Sequence, residues 1–161
     1  NTGEVLEVLA TDKGSKADIL AWSKSSGHQY LGTIEEGDVL MHYIRKASEN
    51  EEREAANFET IASNEDLKKE LESNSEIVVL DVREPAEYAF GHIPNAVSIP
   101  FGELEERIGE LDKDKKIYVV CRTGSRSDMA SQALTKKGFS NIINVVPGMS
   151  GWNGPTETKV N

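Results

Sequence analysis

The chain has 161 residues, of which 37% are hydrophobic, enough for one ordinary domain or two small ones with a packed core. Its net charge of −10 argues against nucleic acid as a general partner. No apolar run approaches the roughly 20 residues that cross a membrane, so we expect no membrane partner. The first residue is Asn1 rather than methionine, and we expect that a preceding segment is missing.

Cys121 is the single cysteine of the chain, so no internal disulfide can form. That composition favours a reducing compartment, and we predict a cytoplasmic location. It also removes any metal site built from several cysteines. The three histidines are scattered and form no ligand-like pair, and the sequence therefore predicts no metal site; they are His28, His42 and His92.

The first 48 residues predict a small unit with the order strand, helix, strand, strand. The segment "EVLEVLA" (4–10) is typical of a strand. Ser15 and Asp18 fit a capping box that opens a helix, and Gly27 stands where a C-terminal cap glycine belongs. The segments "HQYLGTI" and "VLMHYIRK" then predict two strands joined by a turn.

Residues 49–57, "ENEEREAAN", hold four acidic residues and one basic residue. They show no apolar periodicity, which predicts a solvated linker. A short exposed helix is the alternative, because Glu, Arg and Ala are good helix formers. In either case the segment separates the first unit from residues 58–161.

The second unit predicts an α/β fold. Three apolar runs without alternation are typical of parallel strands covered on both faces: 76–82, 116–121 and 141–146. Helical patterns fall between them, so strands and helices alternate. Before the first run, 58–61 predicts a short strand, and Ser63 with Asp66 predicts a second capping box.

The segment "IYVVCRTGSRSD" places Cys121 at the end of a buried strand, where open α/β sheets bind their ligands. A core-facing stripe of small and apolar residues follows and stops at Gly138, so we predict a helix that begins near Ser127 or Asp128. The stripe consists of Ala130, Ala133 and Leu134.

The loop between this strand and this helix is suited to holding an anion. Small residues at a helix N-terminus let backbone N–H groups turn inward, and Arg122 and Arg126 add positive charge. Such surroundings stabilise a thiolate, and we hypothesise that Cys121 is an ionised nucleophile at neutral pH. The alternative is a structural role, because most lone cysteines are small buried hydrophobic residues.

Three segments of the second unit resemble, in the right order, the motifs of the rhodanese family. They are "LDVREPAEYAFGHIPNAVSIP" (80–100), "CRTGSR" at the cysteine loop, and "VVPGMSGW" (145–152). The resemblance covers residues 58–161 and implies a mainly parallel central sheet flanked by helices. Asn95 departs from the pattern, since glycine is common after "HIP", and we expect the change to affect only a turn.

The resemblance implies a sulfurtransferase. Cys121 would take the outer sulfur of thiosulfate, glutathione persulfide or a polysulfide as a cysteine persulfide. It would then pass that sulfur to a thiol or a sulfur-carrier protein, or to cyanide in vitro. No cofactor is implied, because the sulfur is carried on Cys121 itself. The persulfide-binding loop would comprise Arg122, Thr123, Gly124, Ser125, Arg126 and Ser127.

Other residues of these motifs are expected to be architectural. Asp81 and Arg83 follow a strand end and would support the loop, although Arg83 could also reach the substrate. Glu84 and Glu87 fit a charge pair at a helix N-terminus rather than acid–base catalysts. His92 is interpreted as a turn histidine and Trp152 as a packing residue. For Arg122 and Arg126, donor binding and bracing of the fold remain open.

Residues 1–48 are similar to the later part of a TusA-like (SirA-like) sulfur carrier. The similarity lies in "GEVLEVLATD", "ADILAWSKSSGH" and "VLMHYIRKA". That family opens with a strand and a helix bearing a Cys-Pro motif, and both are absent here. The resemblance implies that this unit cannot itself accept sulfur. We therefore expect a partial unit with an exposed sheet edge, from a fused carrier and sulfurtransferase.

Two alternatives to a sulfurtransferase remain on this fold. A rhodanese-like domain can serve as a non-catalytic binding or regulatory module, a role that has no need of the nucleophile. Related phosphatases and arsenate reductases use a Cys-x5-Arg loop that fits a phosphate. The spacing here is Cys-x4-Arg, a six-residue loop from Cys121 to Arg126, and the shorter loop favours a single sulfur atom.

Overall fold

The structure is a computed structural model that describes residues 1–47, 58–73 and 76–159. The chain divides into two compact units, one built around the first 50 residues and the other running from Glu51 to Thr158. The predicted linker, 49–57, lies outside the described residues. None of the helices within the described ranges is long and apolar enough to cross a membrane.

The first unit has the predicted order of strand, helix, strand and strand, which is confirmed. Its elements are β1 (Val5–Ala10), α1 (Ser15–Ser26), β2 (Gln29–Glu36) and β3 (Val39–Arg45). The three strands form an antiparallel sheet in the order β1-β3-β2. Gly27 ends α1 with a left-handed backbone (φ 78°), as predicted for a C-terminal cap glycine.

The predicted capping box of α1 is wrong. Gly14 caps the helix, and no side chain makes the cap hydrogen bond. The Ser15 hydroxyl lies 2.8 Å from Nε2 of His42, a buried side chain on β3. Asp12 stabilises the turn before the helix, because its Oδ1 accepts the Gly14 N–H at 2.9 Å. A long-range contact therefore uses the hydroxyl that the local pattern assigned to the cap.

The second unit alternates strands and helices around a five-stranded parallel sheet, which confirms the predicted fold. Its strands are β4 (Ile61–Ser63), β5 (Val78–Asp81), β6 (Val97–Ser98), β7 (Ile117–Val120) and β8 (Ile142–Val146). The sheet order is β4-β8-β7-β5-β6, and each neighbouring pair is parallel. Its helices are α2 (Asn64–Ser73), α3 (Pro85–Phe90), α4 (Leu104–Arg107) and α5 (Ser125–Lys136).

Two boundaries of the second unit differ from the prediction. The first strand begins at Ile61, because the Phe58 N–H donates to Oδ2 of Asp128 at 2.9 Å instead of joining the sheet. Helix α5 begins at Ser125, two or three residues before the predicted start at Ser127 or Asp128, because Gly124 adopts a left-handed backbone (φ 97°) and caps it. The residues after Gly124 are therefore already helical, and the loop beside Cys121 is short.

The capping box of α2 is confirmed. The Ser63 hydroxyl accepts the Asp66 N–H and the Asp66 carboxylate accepts the Ser63 N–H, both at 3.1 Å. Ser63 lowers the pKa of the Asp66 carboxyl below its usual range, because its N–H and its O–H can both donate to the carboxylate and stabilise it. The helix thus starts where its own sequence specifies, because Ser63 and Asp66 bond each other and no distant side chain among the described residues takes the Ser63 hydroxyl.

The core of the second unit lies on both faces of the sheet, which explains the apolar runs without alternation. Along β7, Ile117 and Val119 point to one face, towards Leu134 of α5. Tyr118 and Val120 point to the other face, towards Leu67 of α2. Because both faces of the sheet are covered, β7 is buried along its whole length, and Cys121 is the residue that directly follows it.

Candidate active site

Cys121 follows β7 and its side chain is fully buried. The Gly124 N–H donates to its Sγ at 3.0 Å, and Ser127 Oγ lies 3.3 Å from the same sulfur. Helix α5, 12 residues long, begins next to this sulfur, so the positive end of its dipole is close by. A backbone N–H and a helix N-terminus thus both face the cysteine sulfur.

Gly124 has two roles in this geometry. Its N–H points at the cysteine sulfur, while its carbonyl accepts the first helical N–H of α5, from Asp128, at 3.1 Å. Nδ2 of the buried Asn144 on β8 reaches the same carbonyl at 3.4 Å. With its left-handed backbone, this residue turns the chain from the strand into the helix within a few positions.

The segment after β8 holds the other side of the loop. The N–H groups of Met149 and Ser150 donate to the carbonyls of Cys121 and Arg122 at 2.8 and 2.9 Å. Gly148 makes this approach possible, because a Cβ on it would lie 2.4 Å from the Cys121 carbonyl oxygen. The 145–152 motif therefore binds the backbone of the loop that begins at Cys121.

Asn64 fixes Gly148 from the start of α2. Its side chain donates to the Gly148 carbonyl at 2.9 Å and accepts the Gly148 N–H at 3.1 Å. The sequence reasoning missed both residues. The Pro-Gly pair before Met149 signals a turn there, but no local pattern connects Asn64 with a residue 84 positions away.

Asp81 and Arg83, both predicted to support the loop, form a buried ion pair at the end of β5. Nε and Nη2 of Arg83 donate to the Asp81 carboxylate at distances from 2.7 to 3.1 Å. Nη2 also donates to the Gly91 carbonyl at 2.8 Å. The pair ties the end of β5 to the chain after α3, and the guanidinium is directed at protein groups.

Glu84 and Glu87 form a capping box at α3, in line with their predicted place at a helix N-terminus. Glu87 also does something that the sequence did not predict. Its carboxylate accepts from Nη1 and Nη2 of Arg126 at 2.7 and 3.0 Å, and both side chains are nearly inaccessible to solvent. The second arginine of the loop is therefore held in a buried ion pair.

His92 is a turn histidine, as interpreted from the sequence. Its ring stacks on Tyr88 with centroids 3.7 Å apart, and Nδ1 lies 2.7 Å from the Tyr88 carbonyl oxygen. Burial, with the Asp81 charge nearby, raises the pKa of Tyr88, whose hydroxyl donates to the Ala96 carbonyl at 2.8 Å. Asn95 takes a left-handed backbone (φ 66°), which explains why glycine is common at that turn position.

Trp152 packs against the core cluster that contains Leu67 and Val120, and its indole N–H donates to the Pro155 carbonyl at 3.1 Å. Within the described ranges, no group of three or more His, Cys, Asp or Glu residues could hold a metal ion. The six predicted loop residues, Arg122 to Ser127, lie between the end of β7 and the first turn of α5.

Comparison with protein families divides the chain in two. Residues 63–155 match the family model described as a rhodanese-like domain. Residues 1–46 match the model described as sulfurtransferase TusA. The two matches correspond to the two resemblances seen in the sequence.

Individual proteins show the same relationship. A Bacillus subtilis protein, YrkF, named as a candidate sulfur carrier, is 50% identical over 155 residues, covering 96% of this chain and 83% of that protein. The thiosulfate sulfurtransferase GlpE of Coxiella burnetii is 32% identical over 83 residues, 52% of this chain and 78% of its own length.

Solved structures match the second unit. A rhodanese-related protein from Thermoplasma volcanium is 36% identical, with a TM-score of 0.57, covering 62% of this chain and 98% of that one. A rhodanese-like domain protein from Staphylococcus aureus is 30% identical, with a TM-score of 0.59, covering 63% and 99%. The chain therefore belongs to the rhodanese-like family, carries a TusA domain over residues 1–46, and has a role in sulfur transfer.

Proposed function

We propose that the second unit is a sulfurtransferase in which Cys121 carries the transferred sulfur as a persulfide. The observation that supports this most directly is the 3.0 Å hydrogen bond from the Gly124 N–H to Sγ at the start of α5. A nucleophile needs its thiolate form, and donors fixed by the backbone stabilise that form without reorganising.

The proposed reaction has two displacements. The Cys121 thiolate attacks the outer sulfur of the donor, the donor's sulfur–sulfur bond breaks, and sulfite or a thiolate leaves with the electron pair. A thiolate acceptor then attacks the outer sulfur of the persulfide, and Cys121 leaves as the thiolate. Each step exchanges one bond to sulfur for another, so neither oxidant nor cofactor is required.

We assign the loop residues as follows. The backbone from Arg122 to Ser127 surrounds the persulfide, and the Ser127 hydroxyl, 3.3 Å from Sγ, can donate to the charged sulfur. Asp81 and Arg83 pair on either side of Val82, whose N–H donates at 3.1 Å to the Val120 carbonyl just before Cys121, and we assign them a supporting role there. The donor classes are thiosulfate, glutathione persulfide and polysulfides, and the acceptor is a thiol or a sulfur-carrier protein. With Cys121 as its single cysteine, the protein suits the cytoplasm.

Mass measurement of the intact protein tests this function. Incubation with thiosulfate or glutathione persulfide is expected to add the mass of one sulfur atom, and cyanide is expected to remove it. Cys121→Ser is the matched control and should gain nothing, because the chain has no other cysteine.

Three results would contradict the proposal or redirect it. A sulfur gain that persists in Cys121→Ser would place the chemistry elsewhere. A Cys121 that alkylates readily but takes sulfur from none of the donors would favour a binding module. Turnover of an aryl phosphate without sulfur uptake would favour phosphatase-like chemistry.

A further inference from the structure

We propose that Glu87 and Arg126 form a positioning pair for the Cys121 loop and that Arg126 does not bind the sulfur donor. The inference rests on the proposed sulfurtransferase function, which it deepens. The sequence left two roles open for Arg126, donor binding and bracing of the fold, and we assign it the second.

The ion pair is enclosed and well aligned. The Glu87 side chain has 0% exposure and that of Arg126 has 11%. Both terminal nitrogens of the guanidinium donate to the carboxylate, one to each oxygen, at 2.7 and 3.0 Å. This two-point contact fixes the guanidinium plane as well as its position. The positive charge of Arg126 is therefore balanced within the protein before any donor arrives.

Glu87 is itself held in place. Its Oε1 accepts the Glu84 N–H at 3.1 Å, as half of the capping box that begins α3. The same carboxylate thus joins the first turn of α3 to the first turn of α5. Because α5 starts at Ser125, Arg126 is the second residue of that helix, and the ion pair holds this first turn against α3.

The geometry at the sulfur depends on the position of this first turn. Two residues near Arg126 contact the sulfur. The hydroxyl of Ser127, the next residue, lies 3.3 Å from Sγ, and the N–H of Gly124, two residues before Arg126, donates to Sγ. The other end of the loop is held separately, through the Met149 N–H on the Cys121 carbonyl. Loss of the ion pair would free one end of the loop while the cysteine backbone stays anchored.

A double-mutant cycle tests this role with Arg126→Met, Glu87→Gln and the combined variant. Gln keeps an oxygen for the Glu84 N–H, so the capping bond is preserved. The first readout is the rate of Cys121 alkylation by iodoacetamide, and the second is the kcat and KM of sulfur transfer from thiosulfate.

We expect both single variants to lower the alkylation rate and kcat by about 10- to 100-fold, because small misplacements of reacting groups have effects of that size. The combined variant should lose no more than either single variant, since one interaction is removed in all three. The KM for thiosulfate should change by less than about twofold. Arg126→Lys keeps the charge but loses the two-point contact, and it should lose activity nearly as Arg126→Met does.

Arg107→Met is the matched control, because it removes an exposed ion pair of α4, with Glu110 at 2.7 Å, and should leave both readouts unchanged. The proposal is overturned if Arg126→Met raises the KM for thiosulfate while alkylation is unaffected, or if Arg126→Lys keeps full activity. Independent, multiplicative losses in the combined variant would also overturn it. If the wild-type protein accepts no sulfur, the proposed function fails, but the alkylation arm still decides the positioning role.

Discussion

Gly148 has no side chain, and this allows its backbone to lie close to the Cys121 carbonyl. Its backbone is left-handed (φ 99°), and a Cβ would meet the Cys121 carbonyl oxygen at 2.4 Å. We expect Gly148→Ala to lower the free energy of unfolding by at least about 1–3 kcal/mol, the usual cost of such a strained backbone. Urea denaturation followed by circular dichroism measures it.

Gly109→Ala is the control for this variant. Gly109 lies in a short 3-10 helix (Ile108–Glu110). Among the described residues, no group apart from its neighbours in the chain lies within 4 Å of the position that an alanine methyl would take. Alanine should therefore cost little there. If the two alanine variants were equally stable, the close approach between Gly148 and the Cys121 carbonyl would not be required for the fold.

The Asp81–Arg83 ion pair is expected to affect stability through the charges of two single residues. Both side chains are nearly fully buried. Arg83→Met would leave a carboxylate without its counter-charge, and we expect a loss of about 3–5 kcal/mol in the free energy of unfolding. Thermal or urea unfolding at neutral pH measures the loss.

The double variant Asp81→Leu/Arg83→Met separates charge from packing. Replacing a buried ion pair by apolar side chains is often neutral, so the double variant should be more stable than Arg83→Met alone. A double variant as unstable as the single one would show that hydrogen bonds such as that from Arg83 to the Gly91 carbonyl dominate instead.

At the scale of the elements, the start of α2 predicts a dependence of stability on acid. The pKa of Asp66 is lower in the folded protein than in the unfolded chain, because Ser63 donates to its carboxylate. The stabilisation from the box is therefore present above the unfolded value of about 3.9 and is lost as the pH falls through the lower folded value. Asp66→Asn should flatten this acid-side fall.

Glu65→Gln is the matched control, because Glu65 lies in the same first turn of α2 and the change removes the same charge. Urea midpoints between pH 5 and pH 2.5, roughly spanning this range, give the comparison. Equal flattening in the two variants would assign the effect to general charge at the helix start rather than to the capping box.

The two capping boxes show which helix starts the sequence can predict. The Ser-x-x-Asp pattern is the same in both, and it is formed at Ser63 but not at Ser15. The difference is His42, 27 residues from Ser15, which bonds the serine hydroxyl. Local patterns predict caps when no distant polar group competes, and they cannot reveal such competition.

The strands and the place of Cys121 between β7 and α5 were more predictable than the contacts around them. Continuous apolar runs predicted the three central parallel strands, because a strand covered on both faces needs apolar side chains at every position. The position of Cys121 at the end of a strand and before a helix followed from one contiguous segment. The Glu87–Arg126 pair joins residues 39 positions apart, and Asn64 meets Gly148 across 84, so neither contact leaves a local pattern.

At the scale of the whole molecule, buried apolar surface is unevenly distributed between the two units. The described part of the first unit contributes one buried hydrophobic residue, Ile44, whereas both large core clusters belong to the second. Most of the large exposed hydrophobic residues lie in the first unit: Val5, Leu6, Leu9, Leu20 and Trp22. Small units that bury little apolar surface are marginally stable.

The first unit should therefore unfold at a lower denaturant concentration than the second. The chain carries one tryptophan in each, Trp22 in α1 and Trp152 after β8, so fluorescence can follow each unit separately. In Trp152→Phe the signal reports the first unit, and in Trp22→Phe it reports the second. We expect the midpoint in urea to be lower in Trp152→Phe.

Circular dichroism of both variants is the control, because it follows the whole chain and should show two steps at the same two midpoints. A single transition seen at one midpoint by both tryptophans would mean that the units unfold cooperatively. In that case the second unit would be supplying the stability that the first unit's sparse core lacks. Separate transitions would instead mean that the Cys121 loop, built entirely within the second unit, remains folded after the first unit has unfolded.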